Sequence, residues 1–127
     1  MPHQFVYVTN NLTASWSAVL EDAVATIGNV RISSVNGLCE LDLCQFAVLF
    51  VDATYVPDVG TLVTAIHQKC PNLPIIVVTA SPTWKRAREA IQAGATDYIR
   101  KLSDVAELRR IVYNVLQSST PPATSMK

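Results

Sequence analysis

The sequence predicts an α/β fold: a five-stranded parallel sheet, doubly wound, with strand order 2-1-3-4-5. Three observations carry this expectation. Strand-length apolar runs alternate five times with stretches of helical or irregular pattern. Two of the runs, Phe46–Val51 (FAVLFV) and Leu73–Val78 (LPIIVV), contain no polar residue, and a strand that is apolar on both sides is one covered by helices on both sides, as in a parallel sheet with right-handed crossovers. Finally, 127 residues, 50% of them hydrophobic and 16% charged, are enough for one buried core and far from the composition of a disordered chain.

The elements follow in order. Gln4–Val8 is a β-branched and aromatic run that ends at the polar triplet Thr9, Asn10, Asn11, as a buried strand entering a loop would. From Trp16, apolar residues recur at three- and four-residue steps through Val19, Leu20, Ala23, Val24 and Ile27, with Thr13 or Ser15 as cap and Gly28 as stop. Val30–Val35 reads as the second strand. The weakly patterned stretch from Asn36-Gly37 to Leu43 holds one or two helical turns, and Phe46–Val51 makes the central strand. After a loop with Pro57 and Gly60, Thr61–Cys70 suits a helix, which stops before Pro71, and Leu73–Val78 is the next strand. Pro82 opens a helix that runs to Gln92 and ends at Gly94, followed by a short strand at Thr96–Ile99. Asp104 and Glu107 have capping-box spacing ahead of a last helix with Val105, Leu108, Ile111, Val112, Val115 and Leu116 as its buried stripe. Residues 1–117 are expected to form the domain, and the polar, proline-containing residues 118–127 a disordered tail or linker.

Several function classes are excluded or disfavoured. No run approaches the roughly 20 apolar residues of a membrane span and no signal peptide opens the chain, so no membrane partner and a cytoplasmic location are expected. Cys39, Cys44 and Cys70 form no CxxC pair and have no nearby histidine cluster, and are expected as buried or half-buried thiols. The net charge is zero but uneven. Acids at Glu21, Asp22, Glu40, Asp42, Asp52 and Asp58 dominate the first half. Lys85, Arg86, Arg88, Arg100, Lys101, Arg109 and Arg110 make a basic region late in the chain, expected as a solvated helical surface rather than a nucleic-acid site, since few aromatics interleave it. A flavodoxin-like nucleotide or cofactor binder is disfavoured because no glycine-rich loop follows the first strand.

In such a sheet the site lies at the carboxyl ends of the strands, beside the switch point. There the order of elements gathers Thr9, Asn10 and Asn11 from strand one, Asp52 from strand three, Thr79 and Ala80 from strand four, and Lys101 from strand five. A carboxylate, a hydroxyl and an ammonium around one point are the minimum for handling a phosphoryl group: Asp52 as nucleophile, Thr79 to hydrogen-bond a phosphoryl oxygen and Lys101 to pair with the remaining charge. The bland alternatives are an Asp52 that anchors its loop, a Thr79 that bonds its own backbone, and a Lys101 that holds Asp52 in a structural ion pair.

From Phe46 to about Leu116 the chain resembles the receiver domains of bacterial two-component response regulators, through FAVLFVD with Pro57 and Gly60 following, LPIIVVTA, and AIQAGATDYIRK. The resemblance implies a flavodoxin-like, receiver-type fold. It implies Asp52 as phosphoacceptor for a histidine kinase, Thr79 and Lys101 as phosphate-binding residues, and Thr79 and Tyr98 as a switch, Tyr98 having a fixed interface aromatic as its alternative. Two departures are visible. The family's acidic pair after strand one, which holds magnesium, is replaced by Thr9 and Asn10, leaving a degenerate metal site of Thr9, Asn10, Asp52 and the loop near Thr54; no bound metal or cofactor is expected, and magnesium only if phosphorylation persists. The family's cis proline after the lysine is replaced by Leu102, for which a trans peptide bond is expected.

These departures predict a receiver-like or pseudo-receiver signalling module that catalyses at most weak self-phosphorylation and dephosphorylation. It would act through protein contacts on a face with Trp84, Arg88, Tyr98 and Arg110, its partner being a histidine kinase, an output domain or a second copy. The alternative is a response regulator phosphorylated on Asp52.

Overall fold

The computed structural model describes residues 3–10, 16–54, 56, 58–101 and 103–118. Five strands, β1 (His3–Val8), β2 (Gly28–Ser33), β3 (Val48–Asp52), β4 (Ile75–Thr79) and β5 (Asp97–Arg100), alternate with four α-helices, α1 (Trp16–Val24), α2 (Val59–Lys69), α3 (Trp84–Ala93) and α4 (Val105–Ser118). The strands form one parallel sheet in the order β2-β1-β3-β4-β5, as expected.

The period-two alternation of the central strands sorts the core into two layers. Val6, Val8, Leu49, Val51, Ile75 and Val77 face one way, against Val63, Ile66 and Ala90 of α2 and α3. Phe5, Tyr7, Val48, Phe50, Ile76 and Val78 face the other way, against Leu20, Val24, Leu108 and Val112 of α1 and α4. Every residue of β3 and β4 is buried, which is why these two runs carry no polar residue before their last position.

Several boundaries differ from the expected ones. Gly28 does not stop α1 but begins β2, because β1 passes so close that a Cβ on Gly28 would lie 2.2 Å from the His3 carbonyl oxygen. The stretch after β2 makes two 3-10 turns, Asn36–Glu40 and Leu43–Gln45, and no α-helix. α2 starts two residues before Thr61: Asp58, at φ 54°, accepts hydrogen bonds from the Thr61 amide (3.4 Å) and hydroxyl (2.8 Å). Pro82 lies outside α3, whose cap is Thr83, its hydroxyl accepting from the Arg86 amide at 3.2 Å. Asp104 caps α4 through the Ala106 and Glu107 amides, but the Glu107 carboxylate pairs with Arg110, so the reciprocal half of the expected box is replaced by an ion pair. Thr13, Ser15, Asn11, Pro57, Leu102 and the tail after Ser118 lie outside the described residues.

The cysteines require a correction. Cys44 and Cys70 are disulfide-bonded with Cα atoms 5.5 Å apart, tying the second 3-10 turn to the residue that ends α2. Their separation of 26 residues matches no compact motif; only the packing of the turn before β3 against the end of α2 brings them together. The side chain of Cys39 lies outside the description.

Candidate functional site at the carboxyl edge of the sheet

Asp52 is the last residue of β3 and is fully buried. A carboxylate without water is costly unless donors and a cation surround it, and four groups do so. The Lys101 ammonium lies 3.0 Å from each carboxylate oxygen, with its side chain only 13% exposed. The Tyr7 hydroxyl donates to Oδ2 at 2.8 Å and the Thr9 hydroxyl donates to the same oxygen at 3.0 Å. The Thr54 amide donates to Oδ1 at 3.0 Å, as a turn following an aspartate readily does.

The strands explain who arrives. Register pairs Tyr7 with Phe50 and Val8 with Val51, so Thr9 stands level with Asp52 and Tyr7 lies one diagonal away on the same face. Lys101 is delivered by β5, whose extension bonds its amide to the Thr79 carbonyl at 2.8 Å. Asp52, Lys101 and Thr9 are therefore brought together, as the order of elements predicts; Thr54, named from the resemblance as part of a metal site, joins them through its amide. Thr79 is buried, and its hydroxyl accepts from the Ser81 amide at 3.2 Å, which is the self-bonding turn role. The Thr54 hydroxyl accepts from the Ala80 amide at 2.9 Å and links the loops after β3 and β4. Asn10 is exposed and its side-chain oxygen accepts from the Val35 amide at 3.4 Å.

Tyr7 is the site residue that the sequence reading lacks. A signal was available: alternation along β1 puts Tyr7 on a buried face two residues before Thr9, and a buried phenol takes a hydrogen-bond partner.

The residues expected to make partner contacts lie on α3, β5 and α4. Trp84 is 81% exposed at the start of α3, and Arg88 and Arg110 are exposed. Tyr98 is half-buried in β5, accepts from the Thr83 amide at 3.4 Å, and lines a groove of about 830 Å³ between α2 and α3. Arg109 leaves the predicted basic face: its guanidinium donates to the Ala23 and Asp22 carbonyls at 2.9 and 3.3 Å, satisfying the end of α1.

The resemblance to receiver domains implies a magnesium ion beside Asp52. Magnesium takes oxygen ligands in near-octahedral array, with one or two carboxylates among them. Here a single carboxylate is present, both of its oxygens already accept hydrogen bonds, and two hydroxyl donors stand on the side of β1. Among the described residues no group of three or more histidine, cysteine or acidic side chains could hold a metal ion. The donor set does not fit the ion.

A parallel sheet of order β2-β1-β3-β4-β5 with an aspartate, a lysine and two hydroxyl turns at its carboxyl edge defines a receiver-type architecture. Residues 20–113 match the family model of the response regulator receiver domain, and the chain belongs to that family. Among curated proteins it is 36% identical over 77 residues to the DNA-binding transcriptional regulator NtrC of Azospirillum brasilense, covering 59% of this chain and 16% of that protein. It is also 36% identical over 62 residues to the response regulator protein PilR of Pseudomonas aeruginosa, covering 49% of this chain and 14% of that one. The chain thus spans about a sixth of these relatives' length. Among solved structures, a CheY-like receiver domain protein from Methanospirillum hungatei superposes with a TM-score of 0.79 at 20% identity, covering 94% and 97% of the two chains. A response regulator from Thermotoga maritima does so with a TM-score of 0.79 at 20% identity, covering 92% and 99%. No helix among the described residues is long and apolar enough to cross a membrane.

Proposed function

We propose that this receiver-family chain is a signalling module that works by constitutive protein contact, with Asp52 kept as a structural carboxylate instead of a working phosphoacceptor. One observation carries the reading: Asp52 is fully buried with Tyr7, Thr9, Thr54 and Lys101 on its two oxygens. An attacking carboxylate needs an open path to the phosphoryl donor and a cation to offset charge repulsion. The arrangement supplies Lys101 alone as cation, and spends it on an ion pair. The contact surface is the face of α3, β5 and α4 with Trp84, Arg88, Tyr98 and Arg110. Its partner, in the cytoplasm, is a histidine kinase, an output domain or a second copy.

The test is acetyl phosphate with magnesium, followed by intact mass. The unmodified chain is expected to gain no phosphoryl group. A mass gain that disappears in Asp52→Asn would make the chain a phosphorylatable response regulator and overturn the proposal.

A further inference from the structure

Loss of the acidic pair at positions 9 and 10 explains a missing metal ligand, but not why two hydroxyls converge on one oxygen of Asp52. Tyr7 in β1 and Thr9, the residue after that strand, both reach Asp52, and the Tyr7 ring shares its sheet face with Phe50. Oδ2 takes three donors, Tyr7 at 2.8 Å, Thr9 at 3.0 Å and Lys101 at 3.0 Å, while Oδ1 takes the Thr54 amide and the other contact of Lys101. A carboxylate offers about four lone-pair sites over both oxygens, so Oδ2 is already saturated.

We infer that Tyr7 is a positioning residue that, together with Thr9, replaces a divalent cation at Asp52 and excludes one from it. The inference rests on the receiver reading above and deepens it by assigning the metal-free state to a residue outside the acidic pair. A metal ligand must turn a lone pair toward the ion at about 2.0–2.1 Å. The phenol oxygen holds that approach to Oδ2 with its own hydrogen. Its ring is fully buried and packs on Trp16 with centroids 5.5 Å apart, so the hydroxyl is fixed by the core and not by a mobile side chain. Hydrogen bonds from hydroxyls to a carboxylate are strong, charge-assisted ones, and they supply partial positive charge without the two units of a cation. That stabilises a buried aspartate and leaves it without the counter-charge that phosphoryl approach requires.

The consequence is specific: restoring acids on β1 is insufficient while the Tyr7 hydroxyl remains. Tyr7→Phe keeps the ring and removes only that hydroxyl. Magnesium affinity, read by isothermal titration, is compared between Thr9→Asp/Asn10→Asp and Tyr7→Phe/Thr9→Asp/Asn10→Asp, with folding checked by circular dichroism. The triple variant is expected to bind at least tenfold more tightly than the double. Equal affinities, or folded double and triple variants that both fail to bind, would overturn the inference. Asn10 is exposed, so Asn10→Asp with and without Tyr7→Phe provides the same comparison should the Thr9 substitution prevent folding. The acetyl phosphate assay on the unmodified chain reads the receiver proposal separately, because phosphorylation of Asp52 there would sink that proposal whatever the ratio of affinities.

Discussion

The Asp52–Lys101 pair illustrates how a single buried charge organises its neighbours. Asp52 is wholly inaccessible while the Lys101 side chain retains 13% exposure, so the lysine can shed part of its desolvation to solvent and the aspartate cannot. Removing the cation alone leaves an anion held by two hydroxyls and an amide. Lys101→Met is therefore expected to destabilise the fold by about 3 kcal/mol, measured by urea denaturation. Adding Asp52→Asn in the same chain removes the orphaned charge and is expected to recover most of that loss. If the double variant is no more stable than Lys101→Met, the pair contributes through packing and not through charge.

At the scale of elements, stability depends on how helix ends are closed. The carbonyls of Asp22 and Ala23 at the end of α1 are satisfied by Arg109 of α4, a link between residues 86 and 87 positions apart. Arg109→Ala is expected to cost about 1–2 kcal/mol and to loosen α1 selectively, seen as faster amide exchange there than in α2. The Cys44–Cys70 bond closes a loop of 26 residues. Chain-entropy arguments give about 3.5 kcal/mol for a loop of this size. Cys44→Ser is thus expected to melt below the oxidised wild type but together with the wild type under dithiothreitol. A Cys44→Ser variant as stable as the oxidised protein would show that the end of α2 is held by its packing alone. Such bonds persist in oxidising compartments and are rare in reducing ones, so a cytosolic setting would favour the two reduced, unbonded thiols.

Across the whole molecule, the proposed function makes a prediction about coupling between the carboxyl edge of the sheet and the face of α3, β5 and α4. Coupling requires a ligand that distinguishes two states. With Asp52 saturated by Tyr7, Thr9, Thr54 and Lys101, a phosphoryl mimic finds no oxygen to join. Association through Trp84 and its neighbours is therefore expected to be the same with and without beryllofluoride and magnesium in sedimentation experiments. Trp84 is 81% exposed, so Trp84→Ala is expected to weaken association without lowering the melting temperature. A shift in association with beryllofluoride would mean the site still switches.

The order of strands, the two helical layers and the gathering of Asp52, Thr9 and Lys101 were legible in the sequence, because continuous apolar runs and period-two or helical spacing are local signals of what each segment buries. FAVLFVD names both a central strand and the acid at its end. Other features arose only from three-dimensional packing. The start of β2 at Gly28 depends on how closely β1 passes, and the start of α2 depends on a left-handed aspartate at position 58. The Cys44–Cys70 bond joins segments with no shared motif. Tyr7 acquires its role because parallel register sets its ring one diagonal from Asp52. A sequence records which residues a strand carries, whereas register and packing between strands decide which of their polar atoms meet, and that is a property of the assembled sheet.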